Sequence, residues 1–237
     1  MRNRAVFLDK DGTLIEDVPY NVDPRHMRLL PGAIDGLRKL DAASYQLIVI
    51  SNQSGVARGH FPIDALIPVE DRLRELLAEA SVPLTGVYFC PHHPDGVVAD
   101  YSVSCFCRKP ESGLILQAAD EHAVDLTRSW LIGDILDDIQ AGNGAGCKTV
   151  LINNGHETEW LFSRQRRPFH VAVDLSEAAD MVLLTDQPLQ WADLLLRYNG
   201  YSFFRNDANQ ERDGERRRSG SLSECSRHGI SNEGVGS

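Results

Sequence analysis

The stretch Ala5-Val6-Phe7-Leu8-Asp9-Lys10-Asp11-Gly12-Thr13 decides how the rest of the chain is read. Its apolar half is short and rich in aliphatic and aromatic residues, the composition of a buried strand. Two acids one residue apart follow where that strand should end, and Gly12 then lets the chain turn. If extended geometry continues, Asp9 and Asp11 lean toward one face. Two close carboxylates facing a crevice repel unless a cation lies between them or one keeps its proton. A hard divalent ion beside a nucleophile and an acid/base meets both conditions. On its own, D-x-D-G reads better as a solvated Asx-type turn, so the other strand ends have to decide.

Working outward, apolar runs alternate with amphipathic stretches as far as about residue 152. Pro31-Gly32 opens a helix through Ile34, Leu37 and Leu40, and residues 46–50 form a second strand ended by Ser51-Asn52-Gln53-Ser54-Gly55. Leu66, Leu73, Leu76 and Leu77 mark a helix, and residues 86–89 a third strand. Residues 114–123 read as a helix, and 130–132 as a strand running into Gly133-Asp134. Residues 139–145 read as helical and 149–152 as a strand. This order predicts an α/β fold, a Rossmann-like parallel sheet with helices on both faces. Residues 14–28, with Pro19 and Pro24, are expected to loop over the crevice, and Arg164, Arg166 and Arg167 to lie in a solvated loop. Residues 182–184 read as one more strand and 191–196 as one more helix. From residue 199 to 237 Gly, Ser, Asn, Glu and Arg dominate, so a domain over 1–198 is expected to precede a disordered C-terminal tail.

The 237 residues carry a formal net charge of −10 and are 42% hydrophobic, enough for a full core. That charge argues against a nucleic-acid or anionic-membrane surface as main partner, so any phosphate site must be local. No basic segment followed by an apolar one precedes the first strand, and no apolar run approaches a membrane span. A cytoplasmic location, a small-molecule partner and a monomer are therefore expected.

Three further strand ends carry polar groups. Ser51 and Asn52 offer a hydroxyl, an amide and backbone N–H groups to phosphate oxygens. Arg108-Lys109-Pro110 puts two cations ahead of a proline that reads as a helix entrance, where N–H groups also favour anions. Gly133-Asp134, with Asp137 and Asp138, adds another acid cluster. Singly, each is a common turn or cap. Each at the end of a different strand, they fit phosphoryl transfer. The set Asp9-x-Asp11-Gly12-Thr13, Ser51, Lys109 and Gly133-Asp134-x-x-x-Asp138 resembles the four motifs of the haloacid dehalogenase-like (HAD) phosphatases. Within them, Ser51-Asn52-Gln53-Ser54-Gly55-Val56-Ala57-Arg58-Gly59 and Cys90-Pro91-His92-His93-Pro94 resemble the D-glycero-D-manno-heptose 1,7-bisphosphate phosphatase group. The likeness covers about residues 5–152 and continues more weakly to about 197.

The resemblance implies a Rossmann-like core without a large cap domain. It also implies a Mg²⁺-dependent phosphatase that removes the C7 phosphate of the heptose bisphosphate through an aspartyl-phosphate, giving heptose 1-phosphate. Asp9 would be the nucleophile and Asp11 the acid/base, while Ser51 and Lys109 would hold the phosphoryl oxygens. Asp9, the Asp11 backbone carbonyl and Asp134 would bind Mg²⁺, with Asp138 supporting its water shell. Asp137 reads as a solvated helix acid. Asp17, Tyr20, Asn52, Gln53, Ser54 and Arg108 would contact the substrate. The group usually carries a basic residue where Ile135 stands, which leaves more of the distal phosphate to Arg108. A histidinol-phosphate phosphatase is the alternative of the same chemistry, and a catalytically idle, zinc-stabilised phosphosugar-binding protein the alternative of another class.

Cys90-x-His92 and Cys105-x-Cys107 supply four sulfur and nitrogen donors from two short arms, a Cys₃His set suited to tetrahedral, structural Zn²⁺. Closing the loop between the arms costs about 2–3 kcal/mol, well below the ~10–16 kcal/mol that structural zinc supplies in small peptides. Cys107 directly precedes Arg108 and Lys109, so a metal there would anchor the cations. The long excursion from His92 to Cys105 resembles the heptose type, since the zinc loop of the histidinol-phosphate phosphatases is shorter. His93 reads as a loop residue, Cys147 as core and Cys225 as part of the tail.

Overall fold

The computed structural model describes residues 2–161 and 163–186. The expected helix at 191–196, the tail from 199 and Cys225 lie outside the described residues.

Six strands form the sheet: β1 (Ala5–Leu8), β2 (Gln46–Asn52), β3 (Gly86–Cys90), β4 (Trp130–Gly133), β5 (Lys148–Ile152) and β6 (His170–Ala172). All neighbours are parallel, in the order β3-β2-β1-β4-β5-β6. The helices are α1 (Ala33–Ala42), α2 (Ile67–Glu79), α3 (Gly113–Glu121), α4 (Leu136–Ala145) and α5 (Leu175–Asp186). β1 is buried on both faces, which is why it reads as a continuous apolar run rather than an alternating one. Val6 and Leu8 pack with Leu47, Val49, Ile132 and Val150 under the apolar stripes of α1, α2 and α5. Ala5 and Phe7 pack on the opposite face with Ile48, Ile50 and Leu131, against α3 and α4. The doubly covered parallel sheet is the architecture the sequence implies. Among the described residues no separate cap domain is inserted, and no helix is long and apolar enough to cross a membrane.

Register aligns the strand ends. Leu8 lies opposite Val49 on one side and Ile132 on the other, so Asp9, Ser51 and Asp134 emerge side by side at the carboxyl edge of the sheet. That edge is where open α/β sheets bind ligands. The stretch after β1 is tied down as a short arm, with Glu16 N–H donating to Arg28 O and Leu30 N–H to Leu14 O.

Three local expectations need correction. Residues 182–184 are not a strand but part of α5, whose Ala178, Ala179 and Val182 recur at helical spacing and face the core. The sixth strand is β6 instead, in the segment whose pattern is weak. Pro110 does not open a helix: Arg108 and Lys109 lie in a turn, Glu111 N–H donates to Arg108 O, and α3 begins at Gly113. Arg166 and Asp137 are not simply solvated. Arg166 pairs with Asp137 and also donates to Gln140 Oε1 at 2.9 Å, tying the segment before β6 to α4.

Candidate active site

Asp9, Asp134 and Asp138 are all buried and offer carboxylate oxygens within 4.8 Å of one another. The Lys109 ammonium lies among them, paired with Asp9, 2.6 Å from Asp138 and donating to Ile50 O at 3.0 Å. Burial pushes the Asp9 carboxyl up to about 7, with Lys109 opposing and Asp138 and Asp11 adding to the rise. Burial, then Asp9 and Asp138, push Asp134 up to about 9. Burial acts to lower Lys109, but the two acids beside it more than offset this and hold its pKa above the usual lysine value. Three buried acids share one ammonium, their crowding holds protons on Asp9 and Asp134 where no cation answers them, and every donor is a hard oxygen. That donor set fits Mg²⁺.

Two glycines make the approach possible. Gly12 has φ +77°, and a Cβ there would run into Asp134 and His156. A Cβ on Gly133 would collide with Asp138. Asp138 is fully buried and accepts from Ile135 N–H at 3.3 Å, so it is fixed at the start of α4 as well as paired with Lys109. Ile135 brings no charge to this edge.

Asp11 stands apart from the carboxylate trio, toward a cavity of about 280 Å³. Asp17, Tyr20, Asn52, Gln53 and Ser54 line that cavity with it, so both segments border one space. Gln53 Nε2 donates to Asp11 Oδ2 at 3.1 Å and to Ser51 Oγ at 2.9 Å. Ser51 is buried beside the acids. Asn52 is engaged at both ends of its amide: Nδ2 donates to Lys109 O and Oδ1 accepts from Lys109 N–H, each at 3.0 Å. Its first role is therefore to hold the Lys109 backbone. Arg108 does not line the cavity; its Nη1 donates to His92 O at 3.4 Å.

Cys90, His92, Cys105 and Cys107 converge as the spacing predicts. Cys107 Sγ is 3.1 Å from both Cys90 Sγ and Cys105 Sγ, and 3.2 Å from His92 Nδ1. Cys90 Sγ is 3.7 Å from Cys105 Sγ and from His92 Nδ1. A tetrahedron of zinc–sulfur bonds of ~2.3 Å has edges of about 3.8 Å, so the spacing of the four donors, slightly contracted, is compatible with zinc. His93 is more than a loop residue, since its Nε2 meets Arg58 Nη2 at 3.0 Å. Cys147 is buried, and burial pushes its thiol up to about 12, in keeping with a core position.

The sequence reading missed a third wall. After β5, Asn154 Nδ2 donates to Gly12 O at 2.7 Å, and His156 Nδ1 lies 2.6 Å from Asp134 Oδ2. Glu157 Oε2 accepts from Leu136 N–H at 2.6 Å, capping α4. The one sequence signal for it is that β5 also ends at this edge and is followed by polar residues.

The HAD-hydrolase-like family model matches residues 106–178. The chain is 43% identical over 154 residues to the D-glycero-β-D-manno-heptose-1,7-bisphosphate 7-phosphatase of Haemophilus influenzae, spanning 65% of this chain and 83% of that one. It is 38% identical over 189 residues to the D-glycero-D-manno-heptose-1,7-bisphosphate 7-phosphatase of Thermosynechococcus vestitus, spanning 77% and 96%. The crystal structure of D,D-heptose 1,7-bisphosphate phosphatase from B. bronchiseptica, complexed with magnesium and phosphate, superposes with a TM-score of 0.63 at 29% identity, covering 77% of this chain and 99% of that one. With acids, serine and lysine brought to one edge of a doubly covered parallel sheet, and relatives matched over most of their length, the chain belongs to the HAD-like phosphatases, in the group of heptose 1,7-bisphosphate phosphatases.

Proposed function

We propose that the protein hydrolyses the C7 phosphate of D-glycero-D-manno-heptose 1,7-bisphosphate, releasing heptose 1-phosphate and inorganic phosphate. The observation that carries this reading is the buried Asp9–Lys109 pair, two residues from Asp11, which lines a cavity together with Asp17, Tyr20, Gln53 and Ser54. In this reading Asp9 Oδ attacks phosphorus while the bond to the sugar oxygen breaks, and that oxygen takes the Asp11 proton. Water then attacks the aspartyl-phosphate, Asp11 takes its proton, and Asp9 leaves as a carboxylate. Ser51 and Lys109 hold the equatorial oxygens through both steps.

Asp9, Asp134 and the Asp11 backbone carbonyl are the proposed Mg²⁺ ligands, and Asp138 supports them while fixing Lys109. Mg²⁺ bound there screens the dianionic phosphate from the carboxylate nucleophile. Unscreened, each unit-charge pair at about 4 Å repels by roughly 4 kcal/mol at an effective dielectric of ~20. Cys90, His92, Cys105 and Cys107 hold a structural Zn²⁺ that positions Arg108 and Lys109, and Arg108 reaches the distal phosphate by swinging off His92 O. The enzyme works as a monomer in the cytoplasm on a diffusible phosphosugar, without nucleic-acid or membrane partners.

The test is phosphate release from heptose 1,7-bisphosphate with and without Mg²⁺. Turnover should require the metal and disappear in Asp9→Asn. Preferred turnover of histidinol phosphate would move the substrate assignment. An intact fold that binds Mg²⁺ yet hydrolyses no phosphoester would make the protein a binding module.

A further inference from the structure

Arg58 has no part in the scheme above, and its surroundings leave its charge unanswered. Gln53, Ser54 and Gly55 line the cavity, and Arg58 sits one turn beyond them, its backbone N–H donating to Ser54 O at 3.0 Å. The side chain is half-buried, and its Nε is buried with no hydrogen-bond partner among the described residues. Arg25, Arg72, Arg74 and Arg166 each pair with a carboxylate. Among the described residues Arg58 pairs with none, and its Nη2 meets His93 Nε2 at 3.0 Å instead. Withdrawing a cation from water in this way is costly unless an acceptor replaces the water.

His93 cannot be that acceptor. A neutral imidazole has one N–H and one acceptor nitrogen. Asp95 N–H donates to His93 Nδ1 at 3.1 Å, in a turn that Gly96 N–H closes on His93 O at 3.0 Å. A backbone N–H held in a turn cannot rotate away, so Nδ1 is the acceptor and Nε2 carries the hydrogen. Arg58 Nη2 and His93 Nε2 therefore face each other as two donors. A pair of donors at this separation suits a single oxygen about 2.8 Å from each, best an anionic one. A second guanidinium converges on the same dipeptide, because Arg108 Nη1 donates to His92 O at 3.4 Å. We propose that Arg58 and His93 join Arg108 in a subsite for the distal phosphate, with Arg58 Nη2 and His93 Nε2 donating to one of its oxygens. Asp95 N–H fixes the ring that presents Nε2. The proposal rests on the bisphosphate reading of the substrate.

The experiment compares heptose 1,7-bisphosphate with D-glycero-D-manno-heptose 7-phosphate, which offers the reacting phosphate and lacks the distal one. For both sugars kcat/KM is measured with the wild-type protein and with Arg58→Leu. The wild type should favour the bisphosphate. Arg58→Leu should lower the bisphosphate value about 10- to 100-fold, as expected for a lost hydrogen bond to a charged group, and the monophosphate value by less than about twofold. His93→Phe should show the same selectivity to a smaller degree. A wild type indifferent to the distal phosphate would overturn the proposal. So would an equal fall for both sugars, which makes Arg58 structural, or no fall for either. Wild-type protein that hydrolyses neither sugar defeats the proposed function itself and takes the subsite with it. Arg58→Gln, neutral but polar, decides the matter by the same criterion should Arg58→Leu show no thermal unfolding transition.

Discussion

Lys109 shows how much one side chain can hold together. It is 3% exposed, it pairs with two acids on different elements, and its peptide group is clasped by Asn52. Removing one partner of a buried ion pair strands the other charges, which typically costs 3–5 kcal/mol. Lys109→Met should therefore lose about that much stability by denaturant unfolding at neutral pH or above, and all turnover. The loss should be smaller at acid pH, where Asp9, its carboxyl pushed up to about 7, can take up a proton instead. Identical losses at both ends of the pH range would contradict this account. The chemical side chains at this scale were legible in the sequence because strand ends announced them. Lys10 was not, since a lysine between two acids looks solvated until its burial is seen. His156 and Asn154 were missed because the segment after β5 has no periodicity to mark where it turns back toward Gly12.

At the scale of elements, the zinc loop and the last two elements behave differently. The loop could be read in advance because metal-ligand spacing is a short-range code that needs no knowledge of packing. β6 and α5 could not. Three apolar residues within 182–184 fit either period, and β6 is only three residues long with His170 in it, so tertiary packing decided both. Packing also ties the loop to the acids, because Cys107 and Lys109 are two residues apart and the second is clasped to β2 through Asn52. Folded protein should contain about one equivalent of zinc. Stripping it with a high-affinity zinc chelator should lower the thermal midpoint and reduce turnover even at saturating Mg²⁺, with metal release and activity loss proceeding together. Fully folded, active protein with no zinc would refute the assignment.

For the whole molecule, the acid centre sets how stability depends on pH. The folded pKa of Asp9 is about 7 and that of Asp134 about 9, both above the ordinary carboxylate value of 3.8. Between the unfolded and folded values the native state binds more protons than the unfolded state, so rising pH favours unfolding. Mg²⁺-free protein should accordingly lose thermal stability as pH climbs from about 4 toward about 9. Added Mg²⁺ should restore stability most at the alkaline end, where the carboxylates are free to bind it. A midpoint that rises with pH in the absence of Mg²⁺ would contradict the burial of these acids.

The strand register has a consequence for how such a chain can change length. Asp9, Ser51 and Asp134 meet only because β1, β2 and β4 are aligned residue for residue. Side chains alternate along a strand, so deleting one residue from β1 would turn Asp9 and Asp11 away and bring Leu8 and Lys10 round in their place. The chain between His92 and Cys105 is held at fewer points: the four donors bring its two ends together, and between them Val97 and Val98 N–H both donate to Ala57 O, at 2.7 and 3.0 Å. Insertions and deletions should therefore be tolerated in that excursion away from its Ala57 contact, and in the arm before α1 that lines the cavity. They should be eliminated from the three strands, where the chemistry is held. A lineage of such enzymes can then alter what it recognises by changing loop length while the reaction stays the same.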